Sequence, residues 1–438
     1  MPDVVIASRS VAKQSRGLPG RLLRGLRPLA MTVPLLLPSL ARAQSSPWIR
    51  VGANGVLLYT FADPVPRGRS LAEVRLVQPA IMVHAGALSN RLRLLSTINF
   101  EGLTMPAGEL TPGAWGEGFI DRRHPHTYLH ELVLSADDLL GGIDGSTRFS
   151  LAAGKGFAPF GTDDPMVRPV VRYPVNHHLA QILERLVAIA GVRTGPIAVE
   201  AGLFNGDEPE RPGQWPKLSR FGDSWSGRLT ALPTASVELQ GSYARVHSPE
   251  HRPGAGTEQH KWSVSGRWDG DVSGKPVYAL VEWARTSEAE GFFVFRSFLA
   301  EGAWTRGASR LHYRFERTAR PEEQRTLDPF RSIRPHFENS ILGTTRWTIH
   351  TLGYGYRLGD SSTRLDALPF VEVSYGRMAD TGGGVFDVRS FYGRDTFWSL
   401  EIGLRLSPGM PMHRMGRYGV AQDTADSGGM EYDDHHEH

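Results

Sequence analysis

The feature that most constrains this chain is a short unit of alternating side chains repeated along nearly its whole length. In its cleanest copy Trp398, Leu400, Ile402, Leu404 and Leu406 are apolar, with Ser399, Glu401, Gly403 and Arg405 between them. Successive side chains of a strand point to opposite faces, so this segment suits a sheet with hydrocarbon on one side and water on the other. Membrane β-barrels are sheets of that kind, with strands of about 9–11 residues, apolar outward and polar inward, separated by turns.

Clear alternation recurs at Leu92–Ile98, Phe149–Ala153, Ile197–Leu203, Ala235–Tyr243, Trp262–Trp268, Val277–Trp283, Leu311–Phe315 and Val371–Tyr375. Weaker copies lie near Val74–Val83, Tyr128–Ser135, Arg185–Val192, Ser226–Leu232, Phe292–Leu299 and Trp347–Tyr356. Turn clusters such as Asn205-Gly206-Asp207, Asp269-Gly270-Asp271 and Gly382-Gly383-Gly384 separate them; Gly and Asn supply the positive φ that tight turns need. Segment ends are rich in Trp and Tyr, as at a membrane interface. The pattern predicts an all-β fold, a transmembrane antiparallel β-barrel of about 14–16 strands with an inward-folded constriction loop. A soluble β-sandwich or propeller would also alternate, but has no need of so many strand-end aromatics.

Residues 1–43 carry Arg9, Lys13, Arg16, Arg21, Arg24 and Arg27 before an apolar stretch from Leu29 to Leu40, then Ala41-Arg42-Ala43. That is the pattern of an export signal cleaved after Ala43. The apolar stretch is shorter than the roughly 20 residues a spanning helix needs, and Pro34 and Pro38 interrupt it. The leader holds seven Lys and Arg and one acidic residue, a net +6; removing it from the chain's +3 leaves −3. No basic excess remains to argue for nucleic acid. Cysteine is absent, so disulfides and thiolate metal sites are excluded. A closed barrel, in which every backbone group is paired between strands, meets the need for another source of stability. Residues 44–71 then read as a lead-in, 72–407 as an outer-membrane barrel, and 408–438 as a disordered tail rich in His and Asp.

Segment 161–184, with Pro165, Pro169 and Pro174 and a short helical pattern from about Asn176, does not read as wall. Leu179, Ile182 and Leu183 fall on one side of that helix and His177, Gln181 and Glu184 on the other. A long internal loop with an amphipathic turn suits a pore constriction. Its flanking Arg168, Arg172 and Arg185 can fork onto an anion; Asp163, Asp164 and Glu184 in the same segment equally allow internal ion pairs. The polar parity of the strands gives a lumen-facing set: Glu200, Glu238, Arg267, Glu282, Arg314, Glu372, Glu401 and Arg405. These mixed charges predict weak overall selectivity, set at the constriction.

Gly154-Lys155-Gly156-Phe157-Ala158-Pro159-Phe160-Gly161 is followed, after an intervening segment, by Glu200-Ala201-Gly202-Leu203-Phe204-Asn205-Gly206-Asp207. These two motifs resemble segments of the phosphate-selective porin O and P family of outer-membrane porins. The resemblance implies a 16-stranded trimeric pore with a constriction loop. The chain departs from that pattern in continuing to residue 438 after its last strand, and in holding only five lysines.

Other chemistry is sparse. His177 and His178 project about 100° apart on a helix, and Glu184 lies roughly 10 Å along it from His177, too far to share an ion. His435, His436 and His438, with Asp433, Asp434 and Glu437, read either as a weak metal chelator or as a solvated tail. No G-x-S-x-G occurs, and Gly222-Asp223-Ser224 and Gly359-Asp360-Ser361 are ordinary turn triplets. The expectation is therefore no enzyme and no cofactor. It is a barrel in the lipid of a Gram-negative-type outer membrane, passing small hydrophilic solutes or ions, with a homotrimer as its assembly. The alternatives are a non-conducting barrel, structural or lipase-like, and a soluble exported β-protein that binds a partner.

Overall fold

The structure, a computed structural model, describes residues 46–65, 68–104, 126–139, 146–207, 209, 212–247, 258–323, 341–359, 365–382 and 384–421. The chain divides into units Met1–Ala43 and Gln44–His438, and the described residues all belong to the second. The expected leader lies outside them.

Sixteen antiparallel strands close on themselves. They are β1 (Trp48–Val65), β2 (Arg69–Ala87), β3 (Leu92–Asn99), β4 (Leu129–Ala136), β5 (Thr147–Gly156), β6 (Arg185–Thr194), β7 (Ile197–Phe204) and β8 (Ser224–Thr234), then β9 (Val237–His247), β10 (Glu258–Val272), β11 (Lys275–Glu288), β12 (Phe293–Arg306), β13 (Ser309–Glu323), β14 (Ile341–Tyr356), β15 (Leu365–Gly382) and β16 (Thr396–Pro408). Each pairs with its neighbours in sequence, and β1 closes on β16 from Gly55 opposite Leu406 to Asp63 opposite Trp398. The fifteen alternating segments overlap β2 to β16.

The two ends of the barrel differ. At one, β6–β7, β8–β9, β10–β11 and β12–β13 are joined by two-residue turns; in Ser273-Gly274 both residues have positive φ, 53° and 69°, the hairpin geometry that matches strand twist. At the other, longer intervals of chain separate the strands, the described ones including 157–184, 212–223 and 384–395. The start of β1 and the end of β16 both fall at the short-turn end.

Side chains sort by parity. In β16, Trp398, Ile402 and Leu406 are exposed on the outside, while Ser399 and Glu401 are buried inside. Leu57, Val74, Val199, Leu239, Val264, Leu352 and Val373 continue the apolar outer surface. Trp225, Tyr243 and Trp262 follow one another toward the long-loop end in tilted contact, with centroids 5.3 and 5.2 Å apart. Trp304, Tyr313 and Tyr354 stand toward the other end. An apolar belt on a sheet without edges is the form that can span a bilayer. Among the described residues no helix is long and apolar enough to do so.

Two boundaries differ from the sequence expectation. Residues 44–71 contain β1, a full 18-residue strand, where a lead-in was expected. Its alternation is hidden because both faces are apolar: Leu57 and Tyr59 face out, while Val56 and Leu58 face in and are buried against the loop residues Phe157, Met166, Val171 and Tyr173. The interior is thus partly a hydrophobic core. The tail expected from 408 is also not free at its start, since Met415 belongs to the same core and Tyr418 to a second one with Val133, Phe160 and Phe204. Residues 422–438, with the His-rich run, lie outside the described residues.

Outward Val264 sits near the middle of β10. Val264→Arg should destabilise the lipid-inserted barrel by about 2–4 kcal/mol, read by urea unfolding in vesicles. An effect below about 0.5 kcal/mol would contradict a lipid-facing position.

Candidate functional site

After β5 the chain turns into the lumen. Gly161 has φ +72°, and a Cβ there would lie 1.6 Å from the Ala180 carbonyl oxygen, so the two limbs of the loop meet where only glycine fits. The helical pattern yields just one turn, α2 if the short α1 (Glu101–Thr104) is counted first: His177–Ala180. The expected extension through Glu184 does not form. Gln181 is extended, and the Ile182 carbonyl accepts from Ala158 N at 3.1 Å as the chain returns to β6.

The wall holds this loop from nearly all sides. Glu372 on β15 accepts from Val171 N at 2.8 Å, and Glu316 on β13 from Val175 N at 2.7 Å. Glu282 on β11 accepts from Asn176 Nδ2 at 2.7 Å and from the Thr162 hydroxyl. From the wall, Gln78 donates to the Val171 carbonyl at 3.2 Å, Lys261 to the His178 carbonyl at 2.8 Å, and Arg314 to the Arg172 carbonyl at 2.5 Å. The prolines remove three donors from the loop, and at Val171, Val175, Arg172 and His178 inward wall side chains satisfy its backbone. The result is a segment stretched across the lumen.

Its arginines are paired. Arg168 donates to Thr162 Oγ1 at 2.8 Å and to the Asp163 carbonyl at 2.9 Å, and its guanidinium lies 3.6 Å from Glu282 and 3.9 Å from Glu301. Arg172 lies 3.5 Å from Glu316. Arg185 belongs to β6 and caps the Leu183 carbonyl at 2.7 Å. Gln181 donates to the Thr162 carbonyl at 3.3 Å, and His177 sits 3.7 Å from Asp164. Glu184 accepts from Thr127 N at 2.8 Å and His130 Nδ1 at 2.6 Å. Burial pushes the Glu184 carboxyl up, but the His130 hydrogen bond and the nearby His130 and Lys155 charges hold it well below the usual carboxylate range. His177 and His178 do not converge on a shared ligand, and among the described residues no group of three His, Asp or Glu is placed to hold a metal ion.

The strand residues read as lumen-facing are also engaged. Glu200 takes a two-pronged bond from Arg228 at 2.6 and 2.8 Å. Arg314 donates to Glu301 at 2.7 Å, His312 to Glu372 at 2.9 Å, Ser399 to Glu401 at 2.8 Å, and Arg405 to the Arg168 carbonyl at 3.2 Å. Arg267 pairs with Asp163, and Glu238 with Arg414 and Arg417. Charges in so enclosed a space must be paired, because an isolated ion there loses its hydration without return.

Several partners were not singled out from sequence. Glu301 and Glu316 share the inward parity of their strands and were open to the same period-two argument. His413, Arg414, Arg417 and Tyr418 carry no periodic signal at all.

No protein-family model matches the chain, and no curated protein matches its sequence. Solved structures do resemble it. OprB of Pseudomonas putida aligns with a TM-score of 0.51 at 12% identity, over 83% of this chain and 94% of OprB. The anion-selective porin of Comamonas acidovorans gives 0.49 at 10% identity, over 83% and 100%. OmpT of Vibrio cholerae, in its trimer form, gives 0.46 at 11% identity, over 84% and 100%. The likeness to OprB is one of fold, a porin-like barrel.

The loop's hold on the wall has a measurable weak point. Glu372→Ala leaves the Val171 N–H and His312 without their acceptor, a loss of about 1–3 kcal/mol. Protease should then cut within 161–184 at least tenfold faster, while the barrel keeps its heat-dependent gel mobility. Unchanged protection would remove Glu372 as an anchor.

Proposed function

We propose that this chain is an outer-membrane porin, through which small hydrophilic solutes or ions diffuse passively, with no reaction and no cofactor. One observation carries the reading: a closed sixteen-strand barrel, apolar outside, whose ionic interior is crossed by a loop pinned to the wall. Barrels of about this strand number are wide enough to hold an aqueous channel, and an infolded loop narrows it. The bacterial outer membrane is where such barrels reside, and the leader's pattern supports export.

Selectivity in this reading comes from balance at the constriction. Arg168 and Arg172 each face carboxylates of the opposite wall, which supports a weak preference rather than a bare anion site. The phosphate preference implied by the family resemblance gains no support from Lys155, whose ammonium is taken up by Thr127 and the Leu129 carbonyl.

Single-channel recording of the folded protein in a planar bilayer under a salt gradient tests both points. Discrete steps are expected, and Arg168→Ala/Arg172→Ala should move the reversal potential toward cations by uncovering Glu282, Glu301 and Glu316. An unchanged potential would take the two arginines out of selectivity. An inserted but silent protein would sink the porin reading in favour of a structural or lipase-like barrel.

We also propose the homotrimer as the assembly. On the outer wall a shallow apolar groove is lined by Leu134, Leu151, Ala153, Ala190, Leu203 and Trp225. It crosses the shortest part of the barrel, where β4 and β7 have 8 residues against 18 in β1 and 19 in β2. A subunit contact would cover the side least able to match a bilayer's thickness. Ala190→Trp should convert trimer to monomer in light scattering; a wild-type monomer would refute the assembly.

A further inference from the structure

Beyond the last strand the chain returns into the barrel. Gly409 has φ +82°, and a Cβ there would lie 2.4 Å from the Val51 carbonyl oxygen, so the reversal at the short-turn mouth requires glycine. The next residues then enter the lumen and fasten onto its wall. His413 Nε2 bonds Glu131 at 2.6 Å, and its Nδ1 bonds His84 at 2.9 Å. Arg414 Nε donates to Asp163 at 2.6 Å and its two Nη atoms to Glu238 at 2.8 and 2.9 Å. Arg417 donates to Glu238 at 2.6 Å and Thr230 at 3.1 Å. The Tyr418 hydroxyl donates to Glu131 at 2.6 Å and accepts from Phe157 N at 3.1 Å.

The wall also reaches back. Arg228 donates to the Gly416 carbonyl at 2.6 Å, Arg93 to the Gly419 carbonyl at 3.2 Å, and Ser150 Oγ accepts from Val420 N at 3.0 Å. Strands β2, β3, β4, β5, β8 and β9 all take part. Met415, Arg417 and Tyr418 are each 2% exposed or less. Glu131, Asp163 and Glu238 are buried carboxylates whose charge this segment meets with a histidine and two arginines.

We propose that residues 409–421 are a built-in plug of the short-turn mouth, with Arg414 and Arg417 as tethered cations seated in a guanidinium-binding site formed by Asp163, Glu238 and Thr230. The plug narrows the channel, and its two arginines offset the lumenal carboxylates Asp163 and Glu238, which would otherwise draw cations through it. A merely collapsed tail would leave its charges at the surface. Here Arg414 bridges carboxylates on two elements, Asp163 and Glu238, with a two-pronged bond to Glu238 that favours arginine over lysine, and Arg417 sets a second guanidinium on Glu238.

The inference rests on the channel reading for its consequence but not for its geometry, and two measurements on the full chain separate them. In Met415→Cys, the sole thiol of the protein, a charged maleimide should react at least a hundredfold more slowly than in the urea-denatured chain. A difference under tenfold would show the segment outside the lumen and overturn the plug. In the bilayer, Arg414→Glu/Arg417→Glu, folded by the gel-mobility criterion, should at least double the unit conductance and turn the preference toward cations. Wild-type conductance in that variant would overturn the plug. Silence of the wild-type protein with slow labelling would instead overturn the channel and leave the plug in place.

Discussion

Closure of the hydrogen-bond ladder between β1 and β16 is the constraint on which everything else depends. In hydrocarbon an unpaired N–H or C=O costs several kcal/mol, so a sheet can enter a bilayer only without edges. The pairing of Gly55–Asp63 with Trp398–Leu406 removes the last edge. It also settles where apolar side chains must go, because the parity that faces lipid on one strand must face lipid on all sixteen. Glu and Arg of the other parity, Glu282, Arg314 and Glu372 among them, thereby face the interior, close to ions of both signs.

That confinement explains the loop. Inward carboxylates on β13 and β15 need donors, and a proline-bearing segment supplies backbone N–H groups at Val175 and Val171, while Asn176 and Thr162 serve Glu282 on β11. Inward arginines need acceptors, and the loop's carbonyls at Arg168 and Arg172 supply those. Such buried ionic contacts contribute little net stability compared with a well-packed apolar core, but removal of one partner is costly. Their effect is to fix one position of the loop rather than to hold the barrel together. The apolar contacts of Phe157, Met166 and Tyr173 with Val56, Leu58 and Val77 hold the other limb against β1 and β2. The crossing segment is thus greased on one side and ion-paired on the other.

The limits of the sequence reading follow from the same physics. Alternation reports a strand only when its two sides meet different media, which holds for β16, where Glu401 and Ile402 face opposite ways. It fails for β1, where Val56 meets the loop and Leu57 meets the outside, both apolar, so the strand looks like an unpatterned leader. Charged residues of inward parity were legible; which group each one meets was not, since Arg168 finds Glu301 across 133 positions of chain. Nor was the entry of His413 to Tyr418 into the lumen legible. That segment has no secondary structure of its own, and its side chains become meaningful only when the closed barrel sets Glu131, Asp163 and Glu238 around them.

Asp163 is where the wall, the loop and the returning chain meet. Its carboxylate receives Arg267 from β10 and Arg414 from beyond β16, while its carbonyl receives Arg168. Burial alone would push its carboxyl up, and the arginines Arg414, Arg267 and Arg417 overcome that and hold it far below the ordinary range. Groups sharing one such partner do not act independently, and substitutions among them will not add. Loss of Arg414 therefore loosens the infolded loop as well as the segment it belongs to, because Asp163 must then rely on Arg267 alone among its direct ion pairs. The same coupling runs through Phe157, whose N–H is held by Tyr418 and which shares a core with Met415. Loop and returning chain are thereby one folded insert, and the width of any path through this barrel is a property of the pair.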